Sequence, residues 1–302
     1  MLTALIVAYL TLRRATGFQM KVQGYLLRSF AAFAEARGET HVRTRSAIAW
    51  AALAPSELQR ANRLGTIRVF ARFARAEDSG HEIPPDRVFA PRRARYAPFI
   101  LSEAQLKELL LRAARLPPPQ SLRPWTYCTL FSLLAVTGLR ISEALALTLD
   151  DVTADGLVIR QTKFQKSRLV PLHTSAAAGL ARYLDRRGHA SDDHVFLSSR
   201  GTPPRYPTVI AIFLRLVRSM GIHPGPGARG PRIHDLRHRF AVRVLEAGPA
   251  TRDGVDARML ALSTYMGHGQ LDSTYWYLHA TPHLITGISE ATERLLNKEA
   301  RP

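Results

Sequence analysis

Four short clusters between residues 137 and 279 carry side chains suited to work on a phosphate. In Thr137-Gly138-Leu139-Arg140-Ile141-Ser142-Glu143, Arg140 and Glu143 stand three residues apart. A helix would put them on one face and let the carboxylate hold the guanidinium. Pairs of this kind are common in purely structural helices, so the pair alone assigns no chemistry. The second cluster, Thr162-Lys163-Phe164-Gln165-Lys166, holds two of only five lysines in an arginine-rich chain. A lysine can titrate where an arginine cannot, although a charged turn would look the same. The third, His234-Asp235-Leu236-Arg237-His238-Arg239-Phe240-Ala241, sets an imidazole and a guanidinium at helical spacing. One can move protons while the other clamps phosphate oxygens. In the fourth, Gly267-His268 precedes Tyr275-Trp276-Tyr277-Leu278-His279; aromatic groupings like this more often fill a core than do chemistry.

The elements that must position these groups are mostly helical. Tyr25, Leu26, Phe30, Phe33 and Ala34 recur at helical spacing, a second helix is predicted over 47–54, and a third over 56–76. On the third, Ile67, Phe70 and Phe73 mark an apolar side, while Arg68, Arg72 and Arg75 form a basic row. The apolar run 2–12 is too short to span a bilayer and has no basic segment before it, so it is predicted to pack on the domain as a helix or strand. Glu82 to Pro98 carries four prolines with Arg92, Arg93 and Arg95 and no apolar period, which reads as an extended basic linker. Beyond it, Ser102 with Gln105 opens a helix through Arg115, and an apolar helix covers 125–136. Two β-like runs, 156–162 and 168–172, suggest a hairpin around Lys163, with further helices over 176–187, 208–220, 235–246 and from about Met259 onward.

Charge narrows the partner. The 42 Lys and Arg outnumber the 24 Asp and Glu, for a net +18, and half of that excess lies in the first 95 residues. A polyanion, and above all nucleic acid, is the expected ligand. A single cysteine, Cys128, excludes an internal disulfide framework and a cysteine-based zinc site. The chain is expected in the cytoplasm, nucleoid-associated when bound to DNA, and with no membrane partner.

The ordered set Thr137-Gly138-Leu139-Arg140, Lys163, His234 to Arg237, Gly267-His268 and Tyr277 resembles the tyrosine recombinase (phage integrase) family over about residues 137–279. The resemblance implies a mostly α fold with a small β-sheet (α+β). It places a helical core-binding, DNA-clamping domain at 1–90, a basic linker at 91–99 and a catalytic domain at 100–302. It also implies that Arg140, Lys163, His234, Arg237 and His268 activate the phosphate, with Glu143 in support and Tyr277 as nucleophile. Tyr275 and Lys166 stand close enough in sequence to compete for two of those roles. The spacing from His268 and the ending at His279 favour Tyr277, and the position directly after the first strand favours Lys163. Residues 247–262 lengthen the interval before Gly267-His268 relative to the family.

Such chemistry would join Tyr277 to a 3′ phosphate and release a 5′ hydroxyl. Arg140 and Arg237 would take the place of divalent metals, and the covalent link conserves the bond energy, so neither a metal nor a nucleotide cofactor is expected. Double-stranded DNA is the implied substrate and a DNA-bound homotetramer the implied assembly, with 284–296 as a candidate docking helix. DNA contacts are expected from Arg68, Arg72, Arg75, Arg92, Arg93 and Arg95. An integrase of a mobile element fits the departure at 247–262. Relaxation of supercoils by type IB topoisomerase chemistry, or DNA binding without catalysis, are the alternatives.

Overall fold

The computed structural model describes residues 2–90, 98–160, 167–224, 230–248 and 252–267. The chain divides into two compact units, Met1–Arg95 and Tyr96–Pro302.

Four helices build the first unit: α1 (Leu2–Ala15), α2 (Lys21–Glu35), α3 (Thr44–Ala52) and α4 (Glu57–Glu77). The apolar run at the start is therefore a helix, and Leu2, Ile6, Tyr9 and Leu10 form its buried stripe. On α2 the buried stripe is Leu27, Phe30, Ala31 and Ala34. Tyr25, expected on that side, is instead 68% exposed. Edge-on aromatic contacts join the helices, with Tyr9 at 5.5 Å from Phe70 and Phe30 at 5.6 Å from Trp50. Ser56 opens α4 by accepting the Gln59 backbone N–H at 3.3 Å, which satisfies a donor that the helix itself cannot.

The second unit starts with α5 (Glu103–Ala113). Its expected capping box is formed: Ser102 Oγ accepts from the Gln105 N–H at 3.1 Å, and Gln105 Oε1 accepts from the Ser102 N–H at 2.9 Å. The apolar helix α6 (Leu122–Thr137) begins ahead of Trp125. It can do so because Pro124 falls in its first turn, where no N–H is required. Helix α6 packs against α5, α8 (Thr174–Arg187) and α10 (Asp235–Glu246), so it forms the centre of the core. It ends at Gly138, whose φ of +61° favours glycine. A Cβ there would lie 2.4 Å from the Phe240 ring.

Short helix α7 (Ile141–Ala146) follows, then the antiparallel sheet β1 (Val152–Thr153), β2 (Gly156–Ile159) and β3 (Arg168–Val170), in that order. The expected hairpin is the β2–β3 pair, closed by Ile159 opposite Arg168. Strand β1 is two residues long and offers no alternation by which to detect it. After α9 (Tyr206–Ser219) and α10 comes α11 (Arg252–Met266), which starts well before Met259. Its first turns hold Asp253, Gly254 and Asp256, which obscure the period. Val255, Met259, Leu262 and Met266 are nonetheless buried against Ala241 and Leu245 of α10. Among the described residues, no helix is long and apolar enough to cross a membrane.

Candidate active site

The turn out of α6 delivers Arg140 as the residue before α7, where its backbone N–H is free of the helix ladder. Glu143, one turn into α7, accepts that N–H on Oε2 at 2.9 Å and the Arg140 Nη1 on Oε1 at 2.8 Å. The pair read from spacing therefore exists. Sequence spacing does not reveal its third member: Arg168, which there marks only a strand boundary, donates Nη1 to Glu143 Oε1 at 3.1 Å and Nη2 to Oε2 at 2.8 Å. Burial alone would raise the Glu143 carboxyl. The Arg168 hydrogen bonds and the Arg140 backbone N–H outweigh it, and the carboxyl is held below its ordinary range.

Arg237 approaches from α10. Its Nη1 donates to the Gly138 carbonyl at 2.5 Å and its Nη2 to the Met266 carbonyl at 2.9 Å, and the side chain is buried. Arg140 Nη2 lies 3.5 Å from the next carbonyl, that of Gly267. The two guanidiniums thus converge on consecutive carbonyls at the end of α11, with Gly267 at a φ of +65° turning the chain toward His268. Arg239, two residues on, points elsewhere: its Nε donates to the Leu101 carbonyl at 2.9 Å and its Nη2 pairs with Glu103. Asp235, fully buried, accepts the Arg232 backbone N–H at 2.7 Å and the Arg232 Nη2 at 3.1 Å, which braces the start of α10.

His234 immediately precedes α10, and its ring stands edge-on to His238 at 4.6 Å. It keeps one side open to solvent. Even so, the dense protein around it strips hydration from the charged form, and the fields of Arg237, Arg232 and Arg140 add to this, so the imidazole is pushed down to about 4. It is therefore neutral near pH 7, and a bound phosphate, by offsetting the arginine fields, would make it a better proton acceptor. Between 6.5, the ordinary value, and about 4, the unfolded chain binds more protons at this site than the folded one. Stability should accordingly fall as pH drops through that window. The slope of melting temperature against pH should be shallower in His234→Gln. An NMR titration of His234 with its midpoint near the ordinary histidine value would contradict this.

Tyr265 stacks on Phe240 at 5.5 Å and lies near Arg168 and Arg237. Burial pushes its phenol up to about 12 despite those cations, so it stays protonated. Lys163, His268 and Tyr277, their competitors Lys166 and Tyr275, and Arg92, Arg93 and Arg95 lie outside the described residues. So does the candidate docking helix at 284–296. In the first unit, Arg72 and Arg75 are exposed on α4, whereas Arg68 is half-buried and pairs with Asp86. Among the described residues, two groups bring possible metal ligands together: His41, Asp78 and His81, and Asp192, Asp193 and His194. Neither belongs to this site. In the first, His81 Nδ1 already accepts the Val42 backbone N–H at 3.0 Å.

Comparison with known proteins shows the family. The profile of the phage integrase family matches residues 100–283. A putative integrase/recombinase, y4rB of Sinorhizobium fredii, is 40% identical over 301 residues, covering 95% of each chain. Tyrosine recombinase XerD of Caulobacter vibrioides is 29% identical over 246 residues, covering 79% of this chain and 76% of its own. Among solved structures, the Tn1549 transposon integrase in complex with transposon right end DNA superposes with a TM-score of 0.68 at 21% identity. That match covers 97% of this chain and 98% of the integrase chain, and it carries the likeness of fold alone.

Proposed function

The chain belongs to the phage integrase family, and from that premise we propose that it is a tyrosine site-specific recombinase that cuts and rejoins double-stranded DNA. The observation that carries the proposal is the convergence of Arg140 and Arg237 on consecutive carbonyls at the end of α11, next to His234 at the start of α10. In the proposed reaction the Tyr277 oxygen attacks the scissile phosphorus, forming a 3′-phosphotyrosyl bond as the bond to the 5′ oxygen breaks. Arg140 and Arg237 neutralise the non-bridging oxygens with charge that does not titrate. His234 takes the tyrosine proton, Lys163 protonates the departing 5′ oxygen, and His268 hydrogen-bonds the phosphate. Attack by a 5′ hydroxyl from the partner strand reverses each transfer and releases Tyr277.

Strand exchange between two duplexes requires several such sites at once, which favours a DNA-bound tetramer. The relative at 40% identity is a putative integrase/recombinase, which favours the integrase of a mobile element as the role here. The DNA flanking the gene is the first substrate to try. Two plasmids carrying those flanks should recombine in EDTA when the purified protein is added, and a denaturation-resistant protein–DNA adduct should form. Flanks that yield neither product nor adduct would sink the proposal.

The first unit is proposed to clamp DNA through Arg72 and Arg75. Each phosphate that the protein no longer neutralises should lower the slope of log affinity against log salt by about 0.9. Replacing both residues with alanine should flatten the slope by about 1.8, one phosphate for each arginine. Arg68→Ala should change it less, because Asp86 already occupies that guanidinium. An unchanged slope in the double variant would make the row an ordinary solvated face.

A further inference from the structure

Building on the recombinase function above, we propose that Arg168 is a positioning residue for strand cleavage. By gripping both oxygens of Glu143, it fixes the carboxylate that orients Arg140 and ties that arginine to the strand returning from the Lys163 hairpin. Glu143 receives four donors, two from Arg140 and two from Arg168. The two arginines differ in exposure. The Arg140 side chain is 32% exposed, and the Arg168 side chain is 15% exposed. The more open Arg140 pair alone holds its partners loosely, whereas the two-pronged grip of the less exposed Arg168 makes the carboxylate a fixed object. Arg140 is then oriented before DNA arrives.

Arg168 also reaches the other parts of the site. It opens β3 opposite Ile159, so it closes the pairing of the two strands between which Lys163 falls in sequence. A Cβ placed on Gly267 would stand 3.4 Å from its Nη1, which puts the guanidinium against the turn that leads to His268. Its Nε is buried with no hydrogen-bond partner among the described residues. Buried ion pairs are poor stabilisers compared with apolar packing of the same volume. An orphaned donor makes stability a still weaker reason for an arginine here, and orientation a stronger one.

The test uses Arg168→Lys, which keeps a buried cation and the fold but cannot grip two oxygens at once. With saturating DNA that carries the mapped cleavage site, its adduct should form about 100-fold more slowly, the cost of misplacing a reacting group by about 1 Å. DNA affinity should stay within a few-fold. The double variant Arg168→Lys, Glu143→Gln should be no slower than Glu143→Gln alone, since both changes cut the same link. On DNA whose scissile phosphate carries a methyl in place of one non-bridging oxygen, Arg140 has less charge to neutralise, and the defect should shrink several-fold. A wild-type rate, effects that multiply in the double variant, or an equal defect on both substrates would each overturn the proposal. A readout independent of activity is the signal of the Arg140 Nη1 hydrogens, which donate to Glu143 Oε1, in DNA-free protein. It should lose its protection from exchange in Arg168→Lys, and an unchanged signal would overturn the proposal. If that protection is lost and the wild-type protein forms no adduct, the recombinase function fails, and what stands is the link by which Arg168 orients Arg140 through Glu143.

Discussion

Replacing Tyr277 with phenylalanine should abolish the covalent protein–DNA adduct while leaving DNA affinity within a few-fold. The substitution removes one oxygen, the atom that would form the bond to phosphorus, and leaves the electrostatic footprint on the duplex intact. Tyr275→Phe serves as the neighbouring control and should remain active. Tyr265, which among the described tyrosines lies beside Arg168 and Arg237, does not compete, because its buried phenol is pushed up to about 12 and holds its proton. Adduct detected in Tyr277→Phe, with none in Tyr275→Phe, would transfer the nucleophile to the other tyrosine.

The second large effect is expected at Lys163. If it protonates the departing 5′ oxygen, Lys163→Ala should slow cleavage by roughly 100- to 10,000-fold, the range for losing a general acid. Binding should barely change, because one ammonium adds little to so basic a surface. A 5′-bridging sulfur at the scissile phosphate leaves without a proton, so it should restore most of the missing rate. The same substrate should rescue Arg140→Ala far less, since that guanidinium acts on the non-bridging oxygens. Lys166→Ala is the internal control; sulfur rescue there, and none in Lys163→Ala, would make the other hairpin lysine the proton donor.

What the sequence discloses about this site is what short-range physics decides. Ser102 with Gln105, and Gly138 after an apolar helix, are legible because a cap or a left-handed turn involves residues within one turn of each other. Arg140 with Glu143 is legible for the same reason. Arg68 reads as an unpaired cation in sequence because its partner, Asp86, comes from a proline-rich segment with no period to place it. Arg168 escapes such a reading because its role depends on strand register and on β3 meeting α7, neither of which leaves a local mark. Arg237 and Arg239 occur in one motif, yet two residues amount to about 200° around a helix, so one faces the site and the other ties α10 to the start of α5. Tyr25 shows the reverse limit: an aromatic near the right period lies outside the buried stripe.

Arg237 is oriented by oxygens of the main chain, at Gly138 and at Met266, and such partners cannot be substituted away. In a library of random variants this arginine should register as intolerant. The sequence around the two helix ends is correspondingly free to drift, provided Gly138 keeps its left-handed turn and α11 still ends where it does. Diverging lineages could therefore rewrite most of this neighbourhood and inherit the orientation of this arginine intact.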